Sequence, residues 1–178
     1  MINYDRSKII RMSGVEPESI VDGPGFRYAA FVQGCKHNCP GCHNPQTHDF
    51  KGGYDVTVGE VFDDIVRNPH IKGVTFSGGE PFEQTEALLE LAKGVKEQGL
   101  NLMCYSGYTY EELKDRKDSS TDALLDLTDI LVDGKFVEAL KNLELAYRGS
   151  ENQRVIDMNK TRAEGDIVLY KSGFGVEL

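Results

Sequence analysis

Tryptophan is absent from this chain of 178 residues, and positive charge is scarce: 20 Lys and Arg stand against 29 Asp and Glu, a net charge of −9. That balance argues against direct nucleic-acid binding, where counterion release demands clustered Lys and Arg. Long apolar runs are missing too. No segment approaches the roughly 20 apolar residues needed to cross a bilayer. Met1 to Ser13 also lacks the apolar stretch of roughly 7 to 15 residues that marks a secretory signal. With no internal repeat and no low-complexity linker, residues 1–178 read as a single domain, 39% hydrophobic, long enough to bury a substantial core. Cysteine is sparse, at four residues, and three of them crowd into one loop, which is a poor disulfide framework. The expectation is a cytoplasmic enzyme without membrane contact.

Those three cysteines are the most informative feature present. Cys35, Cys39 and Cys42 follow an apolar run ending in Phe31-Val32-Gln33-Gly34. They offer three thiolates to one centre and leave a fourth position open. A 4Fe-4S cubane held this way keeps one iron free for an exchangeable partner. Other motifs overlap. Cys39-Pro40-Gly41-Cys42-His43 fits a haem-attachment or redox-dithiol pattern, but neither uses Cys35. Zinc could recruit His37, His43 or His48, although structural zinc sites usually pair two separated knuckles. Spacing favours the cluster and leaves the others open. Cys104 reads as a small buried strand residue, and His37 and His70 as surface residues.

Strand-like and helix-like runs alternate along the chain. Tyr28 to Val32, Gly73 to Phe76, Asn101 to Tyr105, Ile130 to Val132 and Arg154 to Met158 read as strands. Thr57 and Glu60 form a capping-box pattern for a first helix, and Phe82 to Gln98 forms a second, stopped by Gly99. Thr109 and Glu112 cap a third helical stretch that Thr121 to Leu127 continues. Strands separated by helices imply parallel pairing, and a full eightfold barrel takes about 250 residues. The expected fold is therefore α/β, an open partial (β/α) barrel with parallel strands.

Ligands in such folds gather at the carboxyl ends of the strands. There the sequence places Cys35 to Cys42, Ser77-Gly78-Gly79-Glu80-Pro81, Ser106-Gly107 and Asp133-Gly134-Lys135. Taken singly, each glycine pair reads as a turn. Taken together, glycines allow close approach of a ligand, Glu80 can accept from an ammonium, and Lys135 can pair with a carboxylate, which suits a zwitterionic amino-acid moiety.

The three-cysteine spacing followed by Gly-Gly-Glu-Pro resembles the radical S-adenosylmethionine (SAM) superfamily. Gly23-Pro24-Gly25, Arg27, Gln33-Gly34-Cys35 and Cys42-His43-Asn44-Pro45 resemble its glycyl-radical-enzyme activases. Cys39-Pro40-Gly41-Cys42, Leu131 to Phe136 and Arg148-Gly149-Ser150-x-Asn152-Gln153 resemble those serving anaerobic ribonucleotide reduction. The resemblance spans about residues 20–158 and implies a radical SAM fold, a 4Fe-4S cluster on Cys35, Cys39 and Cys42, and S-adenosyl-L-methionine bound beside it. It further implies that Gly41, Cys42 and His43 line the SAM site. Gly79 and Glu80 would hold the amino group with Gly78 adjacent, and Asp133 and Lys135 would contact the ribose or carboxylate side, with Ser106 as a further contact. Where much of the superfamily has an aromatic residue before the third cysteine, this chain has Gly41, and His43 supplies a ring one place later. The implied partners are the large subunit of an anaerobic ribonucleoside-triphosphate reductase and a low-potential donor such as flavodoxin or ferredoxin. Two other classes suit the residues: a radical SAM enzyme acting on a free metabolite, and a non-catalytic iron-sulfur carrier or zinc module. Residues 159–178 form a tail outside the resemblance, with Ile167 to Tyr170 strand-like and Gly173-Phe174-Gly175 unassigned.

Overall fold

The continuous apolar runs become the centre of one seven-stranded sheet in the computed structural model of the chain, which describes residues 3–171. Its strands are β1 (Ile9–Ser19), β2 (Arg27–Val32), β3 (Tyr54–Thr57), β4 (Gly73–Gly78), β5 (Asn101–Tyr105), β6 (Ile130–Asp133) and β7 (Arg154–Asp157). Across the sheet the order is β3-β1-β2-β4-β5-β6-β7. The neighbours β2, β4, β5 and β6 run parallel. Their crossovers are helical, as parallel pairing requires: α1 (Val58–Val66), α2 (Thr85–Glu97), then α3 (Tyr110–Asp115) with α4 (Ser119–Leu127). A last helix, α5 (Met158–Glu164), follows β7. With β3 and β7 as its edges the sheet stays open, and the architecture is the α/β partial barrel expected from the sequence. No helix among the described residues is long and apolar enough to cross a membrane.

Alternation along the strands divides the sheet into two faces. Val74, Phe76, Leu102 and Cys104 join Leu88, Leu91 and Val95 of α2 and Leu124 of α4 in the main core. Full burial of each such Leu or Val contributes about 1.5–3 kcal/mol. The residues between them face the other way: Phe31, Ser77 and Tyr105 border a cleft, while Met103, Ile130, Val132 and Val155 form a smaller cluster. Helices thus cover one face, and the other is left for a ligand. Arg27 is fully buried on that second side, where burial lowers its pKa to about 10. It bonds Thr75 Oγ1 at 2.7 Å, the Val74 carbonyl at 2.9 Å and the Pro24 carbonyl at 3.1 Å, bracketing the Gly23–Gly25 turn against the sheet.

Both expected capping boxes form, at Thr57/Glu60 and Thr109/Glu112. Three expectations change. Thr121 to Leu127 does not continue α3: Lys117 takes φ 51°, and Asp118 caps α4 as a new helix. The fifth strand, β7, runs antiparallel to β6. Its connection contains only a short 3-10 turn, Glu138–Leu140, so no crossover carries the chain back to the starting edge. Strands β1 and β3, unread in the sequence, pair antiparallel on the opposite side. Beyond α5, the strand-like segment supplies one antiparallel bridge, Leu169 to Ile156. Gly173-Phe174-Gly175 lies outside the described residues.

Candidate active site

At the carboxyl ends of β2, β4, β5 and β6 the open face leads into a cleft of about 570 Å³. Cys35, Cys39, Cys42, His43, Gly78, Gly79, Glu80 and Ser106 all stand on its wall. With Gly134 and Phe136 after β6, four loops distant in sequence converge on one space.

The cysteine loop is closed at its base by backbone bonds. Gly34 N–H donates to the Thr47 carbonyl at 2.7 Å and Cys35 N–H to that of His48 at 3.1 Å. Buried Gln33 reaches across the loop to the Gln46 and Asp49 carbonyls at 3.0 and 2.7 Å. Gly34 has φ 101°, and a Cβ there would lie 2.5 Å from the Phe50 ring. Similar crowding explains the next glycines. A Cβ on Gly78 would fall 2.6 Å from Val32 backbone, and one on Gly79 would fall 2.4 Å from the Gly34 carbonyl. Both line the cleft, yet the space they leave is filled by the end of β2 rather than kept for a ligand.

Glu80 is the centre of the polar structure. Its side chain is fully buried and accepts four hydrogen bonds. Phe82 N–H and Ser106 Oγ reach Oε1 at 3.0 Å each, while Gly107 N–H and His37 Nε2 reach Oε2 at 2.8 Å each. His37, expected at the surface, is instead only 5% exposed in its side chain, edge-on to Tyr108 at 4.3 Å between centroids. Nothing in the cysteine spacing marks it. The available signal was Glu80 itself, because a buried carboxylate must collect donors. Tyr108 is in turn held by Glu83, at 2.7 Å, and by Arg116 stacked over its ring at 4.1 Å.

Three expected contacts are not brought to the cleft. Gly41 turns outward at φ 72° toward Glu138. Asp133 is buried beneath the wall, accepting from Tyr110 N–H at 2.7 Å and from Arg154 Nε at 2.9 Å. Its position is structural: it ties the start of α3 to β7. Lys135 is exposed and off the wall, although its ammonium is near enough to Cys39 to oppose the rise in that thiol's pKa. The wall also holds Phe136 and Arg148, which the sequence reading named only as motif members, and Tyr147, which it did not name as a site residue. Phe136 lies 5.2 Å from the His43 ring.

Burial pushes the Cys35 and Cys39 thiols up, with the Glu80 carboxylate adding to the effect at Cys35. Cys104 belongs to the core, against Thr128, and burial pushes it up to about 12. Among the described residues no three His, Cys, Asp or Glu side chains are gathered tightly enough for one metal ion. A cubane takes each thiolate on a separate iron. Three half-buried thiols on one cleft wall suit the cluster.

Comparison with known proteins agrees. Residues 21–156 match the family model described as a 4Fe-4S single cluster domain. The anaerobic ribonucleoside-triphosphate reductase-activating protein of Salmonella typhimurium is 36% identical over 148 residues, covering 78% of this chain and 93% of that protein. Its Vibrio cholerae counterpart is 38% identical over 146 residues, covering 77% and 91%. The pyruvate formate-lyase-activating enzyme of Clostridium pasteurianum is 37% identical over 130 residues, covering 70% of this chain and 55% of that one. By this breadth of match, the chain belongs to the radical SAM glycyl-radical-enzyme activases, a family that includes the anaerobic ribonucleoside-triphosphate reductase-activating proteins.

Proposed function

We propose that this protein activates an anaerobic ribonucleoside-triphosphate reductase, forming a glycyl radical in the reductase large subunit by reductive cleavage of SAM at a 4Fe-4S cluster. The observation that carries this reading is one cleft, at the ends of four parallel strands, walled by all three loop cysteines and by the Gly78-Gly79-Glu80 turn. Held by Cys35, Cys39 and Cys42, a reduced cluster would supply the electron for reductive cleavage of SAM, and that chemistry would be directed at a glycine of the partner.

The chain's own residues hold and orient. Cys35, Cys39 and Cys42 would carry the cluster, and the absence of a fourth loop cysteine leaves one iron open for SAM. Glu80 would act chiefly through position, since its side chain is fully engaged and fixes the cysteine loop against the loop after β5. The Gly78 and Gly79 carbonyls would then be the acceptors for an ammonium. Phe31, Tyr105, Phe136 and Leu145 give the cleft an apolar lining that limits water. The electron would come from a low-potential flavodoxin or ferredoxin.

The test is anaerobic reconstitution with a candidate reductase, SAM and a strong reductant, followed by electron paramagnetic resonance. A glycine-centred doublet is expected with the native chain and not with Cys39→Ala. Deoxyadenosine formed with no doublet in any reductase, but dependent on a small metabolite, would refute the assignment.

A further inference from the structure

Among the described residues, Arg148 is the one arginine or lysine on the wall of the cleft. Its backbone is fixed from several sides. Gln153 Oε1 accepts from Gly149 and Ser150 N–H at 2.9 and 3.1 Å, and Gln153 Nε2 donates to the Gly134 carbonyl at 2.9 Å. Asn152 Nδ2 donates to the Lys135 carbonyl at 2.8 Å. The segment Arg148 to Gln153 is thereby bolted to the end of β6. It also packs tightly against the residue that follows the third cysteine: a Cβ on Gly149 would lie 3.2 Å from the His43 ring.

The guanidinium is only partly satisfied. Nη1 donates to the Gln153 carbonyl at 2.6 Å, but Nε is buried with no hydrogen-bond partner. No carboxylate pairs with Arg148 among the described residues, and the other charged groups on the wall are occupied: Glu80 by its four donors, Asp22 by Ser19. The guanidinium, held at Nη1 by the Gln153 carbonyl and meeting no carboxylate, keeps its charge on the cleft wall, where an anion would pair with it. The planar fork of arginine matches a carboxylate in particular.

We infer that Arg148 receives the α-carboxylate of SAM, where the family resemblance implied Asp133 and Lys135 on the ribose or carboxylate side. The inference rests on the reading of this cleft as the SAM site. The wall then offers an ammonium the Gly78 and Gly79 carbonyls and a carboxylate the Arg148 guanidinium, and a zwitterion paired with both binds in a single orientation. Arg148 is thus a binding residue that fixes the sulfonium relative to the thiolates.

The experiment compares native, Arg148→Gln, Arg148→Lys and Lys135→Gln proteins, each loaded with cluster and matched for iron content. Binding is measured by equilibrium dialysis against SAM and against decarboxylated SAM, and the reduced-cluster resonance is recorded with each ligand. Arg148→Gln should weaken SAM about 10- to 100-fold, the worth of a charge-assisted pair. Arg148→Lys should recover part of the loss, and Lys135→Gln should change affinity less than about 2-fold, as expected of a screened surface charge. Decarboxylated SAM should bind native and Arg148→Gln proteins alike. Unchanged SAM affinity in Arg148→Gln, an equal loss for both ligands, or a loss appearing in Lys135→Gln instead would overturn the assignment while SAM binding by the native chain stands. Native protein that holds the cluster but binds no SAM would refute the underlying reading and the inference with it.

Discussion

Replacing Glu80 with Gln removes one charge and almost no volume, so its cost isolates the electrostatic role of the hub. Each carboxylate oxygen receives one backbone N–H and one side-chain donor: Phe82 N–H with Ser106 Oγ, and Gly107 N–H with His37 Nε2. The hydroxyl and the imidazole can turn or change tautomer to accept from an amide, but a backbone N–H cannot. Whichever way the introduced amide points, its NH₂ meets either Phe82 N–H or Gly107 N–H and leaves that donor without an acceptor. An unsatisfied buried donor costs about 1–3 kcal/mol, and the surviving bonds lose charge assistance worth about 1 kcal/mol more. The total, about 2–4 kcal/mol, corresponds to a fall of about 1–2 M in urea midpoint if the slope is about 2 kcal/mol/M. Urea unfolding of the cluster-free protein under reducing conditions, followed by circular dichroism, measures it directly. A midpoint within about 0.3 M of the native value at unchanged slope would refute the four-donor arrangement and the positioning role derived from it.

Other substitutions probe the same network. A Cβ on Gly107 would lie 2.4 Å from the His37 ring, so Gly107→Ala should cost about 1–3 kcal/mol by overpacking. Combining it with His37→Ala should cost less than the sum of the single changes, because the clash disappears with the ring; strict additivity in a double-mutant cycle would count against the contact. Arg154→Leu strands the buried Asp133 carboxylate and should destabilise by about 3–5 kcal/mol, whereas a loss below about 1 kcal/mol in thermal or urea unfolding would show Asp133 to be otherwise compensated. At pH 8 a thiol reagent should label Cys35, Cys39 and Cys42 of the cluster-free chain quickly and Cys104 only on unfolding. Burial raises the Cys104 pKa from 9.0 to about 12, so its proton-linked contribution is complete below pH 9 and is lost as pH rises toward 12. The stability gap between native and Cys104→Ala proteins should narrow over that window, and a gap that widens would reverse the sign.

The parallel centre of the fold was legible because its strands are short continuous apolar runs separated by helices with their own start signals, as at Thr57 and Thr109. The antiparallel flanks were not. Strand β1 carries register shifts at Met12/Gly14 and Glu16/Ser19, which break the period-two alternation that reveals a half-buried strand. The direction of β7 was hidden for a different reason. The segment before it has enough residues for a crossover helix but forms only a 3-10 turn and bridged loops, and pattern alone does not distinguish a long return from a crossover.

At the site, the sequence reveals residue types that hold a cluster better than it reveals residues that hold one another. Cys35, Cys39 and Cys42 are marked by spacing. Asp133 closes β6 and is held beneath the wall by Arg154, whereas Lys135 lies beyond the strand end and is exposed. His37 and Arg148 acquire their places only through long-range partners, 43 residues away at Glu80 and through the Gln153 staple on β6. That division has a mechanical consequence. Because His37 lies between Cys35 and Cys39, its bond to Glu80 ties the cysteine loop to the loops after β4 and β5 with no cluster needed to hold them together. The loop is therefore ordered in advance, and cluster binding loses less entropy than it would on a free loop. Cutting the tether with His37→Ala should accordingly lower cluster occupancy under limiting iron before it lowers the stability of the fold.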